Sequence, residues 1–198
     1  PREQEPTDAP TSSIDFTGQL TFNRVSMRYS AETNPALLGI SFSVYPGELL
    51  AIAGDSGSGK TTTAKLALGM YRPQAGTITL DGIDIRQLRP ITLRQTFAYV
   101  PQRNHAFAGS IFDNIALADP TASLKQVKEA CHMAGLLNTI ESLPNGFDTA
   151  FREGLEAHVP QGFLRQMALA RAFLRDAPVM IMDEPASGLD EKDEQIFM

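Results

Sequence analysis

LLAIAGDSGSGKTT, residues Leu49 to Thr62, decides how the rest of the chain is read. It opens on a continuous apolar run, Leu49-Leu50-Ala51-Ile52-Ala53, of the kind a strand buried on both faces carries. It then matches G-x-x-x-x-G-K-[ST] in full: Gly54, Asp55, Ser56, Gly57, Ser58, Gly59, Lys60 and Thr61. A helical stretch follows that begins with Thr62 and its neighbours and runs to about Met70. Strand, glycine loop and helix are the context this motif requires. The glycines let backbone N–H groups turn inward around phosphate oxygens, and the helix start adds its dipole. Lys60 would reach the β- and γ-phosphates, and the Thr61 hydroxyl would ligate Mg²⁺. The expected ligand is a nucleoside triphosphate with magnesium.

Such a loop needs a carboxylate source. Val179-Met180-Ile181-Met182 reads as a second buried strand and ends on Asp183-Glu184. Open α/β sheets bind ligands at the C-terminal ends of their strands, so Asp183 is assigned to Mg²⁺ and Glu184 to the attacking water. Before that strand lies a helical pattern from about Pro160 and Gly162, with Leu164, Ala168 and Ala172 in register, ended by Pro178.

Away from these motifs, Leu20–Val25 and Ile40–Val44 alternate as strands do. Pro46-Gly47 is a turn, and so is Pro73 to Gly76. Thr77–Leu80 and Thr96–Val100 read as further strands, and Ser110–Leu143 as mostly helical. Helices alternating with buried strands predict an α/β layered core with a helical insert. Residues 1–17 are a linker or lead-in, because Pro1 to Asp15 are rich in Pro, Thr, Ser and acids.

Bulk properties exclude several classes. The 198 residues are 42% hydrophobic, enough for a core, and the formal charge of −6 argues against nucleic acid as a partner. No stretch of roughly 18 uncharged apolar residues exists to span a bilayer, and no signal-peptide pattern is present. Cys131 stands alone, so there is no disulfide framework and a reducing compartment is expected.

With Walker A at Gly54–Thr61 and Walker B at Val179–Glu184, the helix LRQMALARAFLRDAP and the following Ser187-Gly188-Leu189-Asp190 resemble the nucleotide-binding domain of ABC transporters. The resemblance covers Gly18 to the end and implies an α/β P-loop NTPase (ABC ATPase) core with an antiparallel β subdomain and an inserted α-helical subdomain, about 103–175. It implies ATP and Mg²⁺ as cofactors. Tyr29, in VSMRY, resembles the aromatic that stacks on adenine, and Thr62 joins the cofactor-binding set. Gln102, in YVPQ, resembles the glutamine that contacts Mg²⁺ or water and senses the membrane partner. Asp190 resembles the aspartate that faces the opposite site across a dimer. Phe107-Ala108-Gly109-Ser110-Ile111-Phe112-Asp113-Asn114-Ile115 resembles the exporter pattern that opens the helical subdomain, and Phe147-Asp148-Thr149 with Glu153 resembles the segment before the signature.

One motif departs from the family. Where Leu-Ser-Gly-Gly-Gln stands in the family, Val159-Pro160-Gln161-Gly162-Phe163 stands here, or the match shifts by one residue if register is counted from Glu153. The hydroxyl is gone, Pro160 has no N–H, and Gln161 is bulky. Gly162 alone is clearly suited to contact the γ-phosphate of the other subunit. The contrast with the intact Walker motifs implies a weakened site and favours a heterodimer over a homodimer.

The resemblance therefore implies the ATPase motor of an exporter, joined to a transmembrane domain in the same polypeptide and paired with a second nucleotide-binding domain. It would lie at the cytoplasmic face of a membrane, a bacterial inner membrane by preference. Two alternatives stand beside it. A regulatory module without turnover is suggested by Pro160-Gln161. A soluble ABC ATPase acting on nucleic acid would carry a long coiled-coil insert or CxxC pairs, and neither is present. The chain starts at Pro1 and stops at Met198, before the family's switch histidine, and His105, His132 and His158 are not placed to replace it. A piece of a longer chain is therefore expected.

Overall fold

The computed structural model describes residues 16–30, 32, 34–151 and 159–184. They form two compact units that divide between Thr96 and Phe97.

The first unit is built on an antiparallel sheet. Strand β1 (Leu20–Met27) lies between β2 (Leu37–Val44) and β3 (Ala75–Leu80), and β4 (Ile83–Asp84) closes the far edge. In β1 the residues Leu20 and Phe22 are buried, and then Val25 and Met27. The alternation slips by one because the register shifts between Phe22 and Val25, where Arg24 takes a left-handed φ of 50°. An extra residue at a bulge moves the inward face by one position, which keeps both halves of the strand amphipathic. Phe22 pairs with Phe42 across the strands, rings stacked at 4.5 Å, the kind of cross-strand contact that stabilises a sheet. Helix α1 (Lys60–Ala67) buries Leu66 and Ala67, and α2 (Pro90–Thr96) buries Leu93.

The second unit is mainly helical. Strand β5 (Phe97–Val100) pairs in parallel with β8 (Val179–Met182), with Phe97 opposite Val179 and Val100 opposite Met182. Between them in sequence come the short pair β6 (Gly109–Ser110) and β7 (Ala150–Phe151), and helices α3 (Ile111–Ala116), α4 (Leu124–Met133), α5 (Leu137–Glu141) and α6 (Gln161–Arg175). Ser110 and Ser123 cap α3 and α4 with complete capping boxes, closed by Asp113 and Gln126. Ile111, Ile115, Val127, Cys131, Leu136, Ile140 and Met167 form a continuous core. Along α6, Ala168 and Ala172 lie on one face, Ala170 points to the other side, and all three are buried.

Several expectations need correction. Leu49–Ala53 is not a buried strand: among the described residues it has no ladder partner, and Leu49 is 85% exposed. An apolar run indicates a preference for burial, but burial itself is decided by what lies alongside. For the same reason β8 is only partly covered; its one described partner is β5, and Met182 is exposed. Helix α6 ends at Arg175, before Pro178, because Asp176 turns the chain with φ 47° and ψ 45°. Helix α1 stops at Ala67, short of Met70. Its terminus is a Schellman turn: Gly69 N–H donates to Leu66 O and Met70 N–H to Lys65 O.

Candidate functional site: a phosphate loop and a carboxylate strand end

In the first unit, Gly54 to Gly59 form an exposed loop that enters α1. Gly54, Gly57 and Gly59 have φ of 154°, 81° and 96°. Positive φ at these positions is what lets neighbouring N–H groups face one concavity, and only glycine adopts it freely. Gly59 has a second reason: a Cβ there would lie 2.6 Å from the Ala36 carbonyl oxygen and 2.6 Å from Leu37 Cδ2. Lys60 folds its ammonium back over the loop and donates to the carbonyls of Gly54 (2.7 Å) and Asp55 (3.0 Å). Ser58 N–H donates to Asp55 O, and the Thr63 hydroxyl to Gly59 O. Thr61 and Thr62 occupy the first turn of α1. Thr62 is buried, and its Oγ1 lies 2.9 Å from the Tyr29 phenol oxygen. Tyr29 itself is 51% exposed and meets Tyr71 edge to face.

In the second unit, Asp183 continues β8 and is only 5% exposed. Its N–H donates to Val100 O at 2.9 Å, which extends the ladder one residue beyond the strand. Glu184 follows with φ 52°, a left-handed conformation that costs a non-glycine residue on the order of 1 kcal/mol and gathers at functional sites. The Gln102 side-chain amide donates to Glu184 Oε2 at 2.6 Å. Two of the three acidic and amide residues expected from the sequence are thus in direct contact.

The sequence reading missed Tyr99. Its hydroxyl donates to Asp183 Oδ2 at 3.4 Å, a long bond. Burial, then the neighbouring Asp183 carboxylate, pushes the phenol up to about 12. The signal lay in the pairing: Tyr99 stands opposite Ile181, and Asp183, two residues on, shares that face. Arg171 was also missed. Its guanidinium donates to Asn114 O, Asn114 Oδ1 and His105 O, and stacks on Phe107 at 5.6 Å, which ties the segment after Gln102 to α6. Burial lowers its pKa.

The start of α6 differs from that of α1. Pro160 is the N-cap, with φ −55° and ψ 137°, and no side chain caps the helix. Leu164 N–H donates to Pro160 O, so Gln161, Gly162 and Phe163 have no acceptor within the helix for their N–H groups. The missing N–H of Pro160 therefore falls one position before the first turn. The absent hydroxyl and the exposed Gln161 side chain are the larger changes. Phe163 packs against Phe151. Ser187, Asp190, Glu153 and His158 lie outside the described residues; His105 and His132 are exposed.

Known proteins resemble this chain over most of its length. The family model for the ABC transporter matches residues 37–187. The chain is 38% identical over 192 residues to the ATP-dependent lipid A-core flippase of Chromobacterium violaceum, covering 97% of this chain and 33% of that protein. The flippase of Haemophilus influenzae is 41% identical over 179 residues, 90% of this chain and 30% of that one. P-glycoprotein 14 of Caenorhabditis elegans is 34% identical over 180 residues, 14% of its own length. Among solved structures, a bacterial Atm1-family ABC exporter with ATP bound aligns with a TM-score of 0.87 at 33% identity, over 98% of this chain and 33% of that one. The chain thus spans about a third of the length of the flippases it matches. Its fold is that of a P-loop NTPase with mixed helix and sheet, and the chain belongs to the ABC transporter family, as a nucleotide-binding domain of the exporter type.

Proposed function

We propose that this chain binds and hydrolyses ATP to drive export across a membrane. The observation that carries the reading is the Gly54–Thr61 loop, whose three left-handed glycines and α1 start are shaped for phosphate oxygens. Residues 1–17 serve as a lead-in to a transmembrane domain of the same polypeptide, and 18–198 as the ATP-binding domain with its helical part at about 103–175. Among the described residues no helix is long and apolar enough to cross a membrane. The domain works at the cytoplasmic face, in a bacterial inner membrane.

The residue set fits Mg-ATP. Backbone N–H groups from Gly54 to Gly59, with Asp55, Ser56 and Ser58 in the loop, bind the phosphates. Lys60 leaves the carbonyls of Gly54 and Asp55 and takes up the β- and γ-phosphate charge. Thr61, Gln102 and Asp183 offer oxygen donors, the kind magnesium prefers. When bound, the ion neutralises charge on the phosphate oxygens. Glu184 accepts a proton from water as the water oxygen bonds to the γ-phosphorus and the bridging P–O bond breaks, releasing ADP and phosphate. Before that, the Gln102 amide has to release Glu184 Oε2, because the lone pair that accepts its hydrogen bond at 2.6 Å is not open to a proton from water. A positioned general base contributes typically 10²–10⁴ in rate. Gly162 and Asp190 face the nucleotide of a second nucleotide-binding domain.

A second reading is supported by the start of α6. Pro160 brings no hydroxyl and Gln161 no room, so the nucleotide closed by α6 turns over slowly or not at all. Pairing with a partner that has an intact signature makes a heterodimer the favoured assembly. The test is Mg-ATP hydrolysis by the protein in its full-length context, followed against protein concentration, with Glu184→Gln as control. Turnover that depends on Glu184 and needs an added partner half is the expected result. Steep self-activation with no partner would remove the weakened-site reading, and turnover untouched by Glu184→Gln would remove the assignment of the base.

A further inference from the structure

Tyr29 is held by one group in helix α1 and by another just beyond its end. Its hydroxyl is 2.9 Å from Thr62 Oγ1, in the first turn of α1. Its ring meets Tyr71 at 5.3 Å between centroids and 90° between planes, an arrangement aromatic pairs favour. Tyr71 reaches that position because the Schellman turn at Gly69 folds the chain back immediately after α1. Gly69 has φ 68°, and a Cβ there would lie 2.5 Å from Leu93 Cδ2, so the turn is committed to glycine. The helix that opens at the phosphate loop thus fixes Tyr29 through Thr62 near its start and through Tyr71 beyond its end.

A half-exposed aromatic on a loop normally rotates, and immobilising it is part of the cost of binding. Here the Thr62 hydroxyl and the Tyr71 ring already restrain it.

We propose that Tyr71 is a positioning residue for the nucleobase: opposite the Thr62 hydroxyl, it holds the Tyr29 ring as a preformed stacking surface for a planar heterocycle, beside the helix that binds the phosphates. The proposal rests on the nucleotide-binding reading above. It separates two parts of one ligand, because the base depends on Tyr71 and the triphosphate does not.

The test measures binding of ATP and of inorganic tripolyphosphate, which has no base, to the full-length protein by isothermal titration. Tyr71→Leu is expected to weaken ATP by about two- to ten-fold, the range for one immobilised side chain, and to leave tripolyphosphate within two-fold of the parent. Tyr71→Phe keeps the ring contact and should bind ATP as the parent does. A merely structural role would weaken both ligands together, and that outcome overturns the proposal, as does an unchanged ATP affinity in Tyr71→Leu. If the parent binds tripolyphosphate but gains nothing from the base, the platform is wrong while the phosphate loop stands. If the parent binds neither, the nucleotide reading fails and the platform with it.

Discussion

Helices α1 and α6 begin without a side-chain cap, and they are otherwise opposites. Gly59 enters α1 with φ 96°, behind a loop that carries two further left-handed glycines and a lysine folded over its carbonyls. Pro160 enters α6 in an extended conformation, followed by the exposed Gln161. Each helix offers first-turn N–H groups and the positive end of a dipole. What separates them is the backbone just before the helix. A curled backbone multiplies donors around one point, whereas a straight entry offers only the first turn. An anion site is therefore a property of loop and helix together.

The largest effect that could sharpen this contrast is repair of the weaker start. Pro160→Ser with Gln161→Gly returns a hydroxyl and clears the bulk of Gln161. If the start of α6 limits catalysis, steady-state Mg-ATP turnover of the assembled protein should rise by roughly 10²–10³, the usual weight of one preorganised donor. Unchanged turnover would mean that backbone N–H groups alone suffice.

The opposite experiment damages the stronger start, and the two glycines grade the damage. At Gly57 an added Cβ meets nothing within 4 Å, so Gly57→Ala carries the left-handed penalty alone; about five- to ten-fold weaker nucleotide binding is expected. Gly59→Ala adds the collision with the Ala36 carbonyl and Leu37, and should lose on the order of 100-fold. Equal losses in a binding titration would show that loop curvature, not crowding against residues 36–37, sets affinity.

The same contrast explains what the sequence made legible. The loop could be read from eight residues because its chemistry is local: glycine where φ is positive, lysine at the helix start. The departure at Pro160-Gln161 was readable for the same reason. The Tyr29–Thr62 and Tyr99–Asp183 contacts were not, because they join residues 33 and 84 positions apart, and only strand register and turn geometry bring them together. Leu49–Ala53 failed differently. Its apolar pattern was correct, but burial depends on neighbouring elements that no pattern within the run specifies.

A third helix start tests whether a conventional cap behaves differently from both. Ser110 accepts from the Asp113 N–H at 3.0 Å and donates its hydroxyl to Asp113 Oδ2 at 2.7 Å. Ser110→Ala should cost about 1 kcal/mol of stability near neutral pH, read by thermal or urea unfolding. The hydrogen bonds from the Ser110 hydroxyl and N–H hold the Asp113 carboxyl below its ordinary 3.8. A depressed carboxylate contributes stability that is present above that ordinary value and is lost as pH falls through the lowered one. The difference between parent and variant should therefore narrow on acidification below 3.8. Caps act on stability, so nucleotide affinity should not change.

The smallest effect lies at the other end of α6. Asp176 closes the helix in the left-handed region, φ 47° and ψ 45°, where glycine is usual. Its carboxylate also sits at the negative end of the helix dipole, an unfavourable placement. Asp176→Gly removes both penalties and leaves the α6 start untouched, with an expected gain of about 0.5–1 kcal/mol. Because Asp176 is exposed, no packing is lost that could cancel the gain. Unfolding midpoints should rise while the ratio of turnover between the parent and the repaired Pro160→Ser, Gln161→Gly protein stays the same. If that ratio changed, the start of α6 would be responding to the overall stability of its helix, and the distinction between the two helix starts would no longer be one of local backbone geometry.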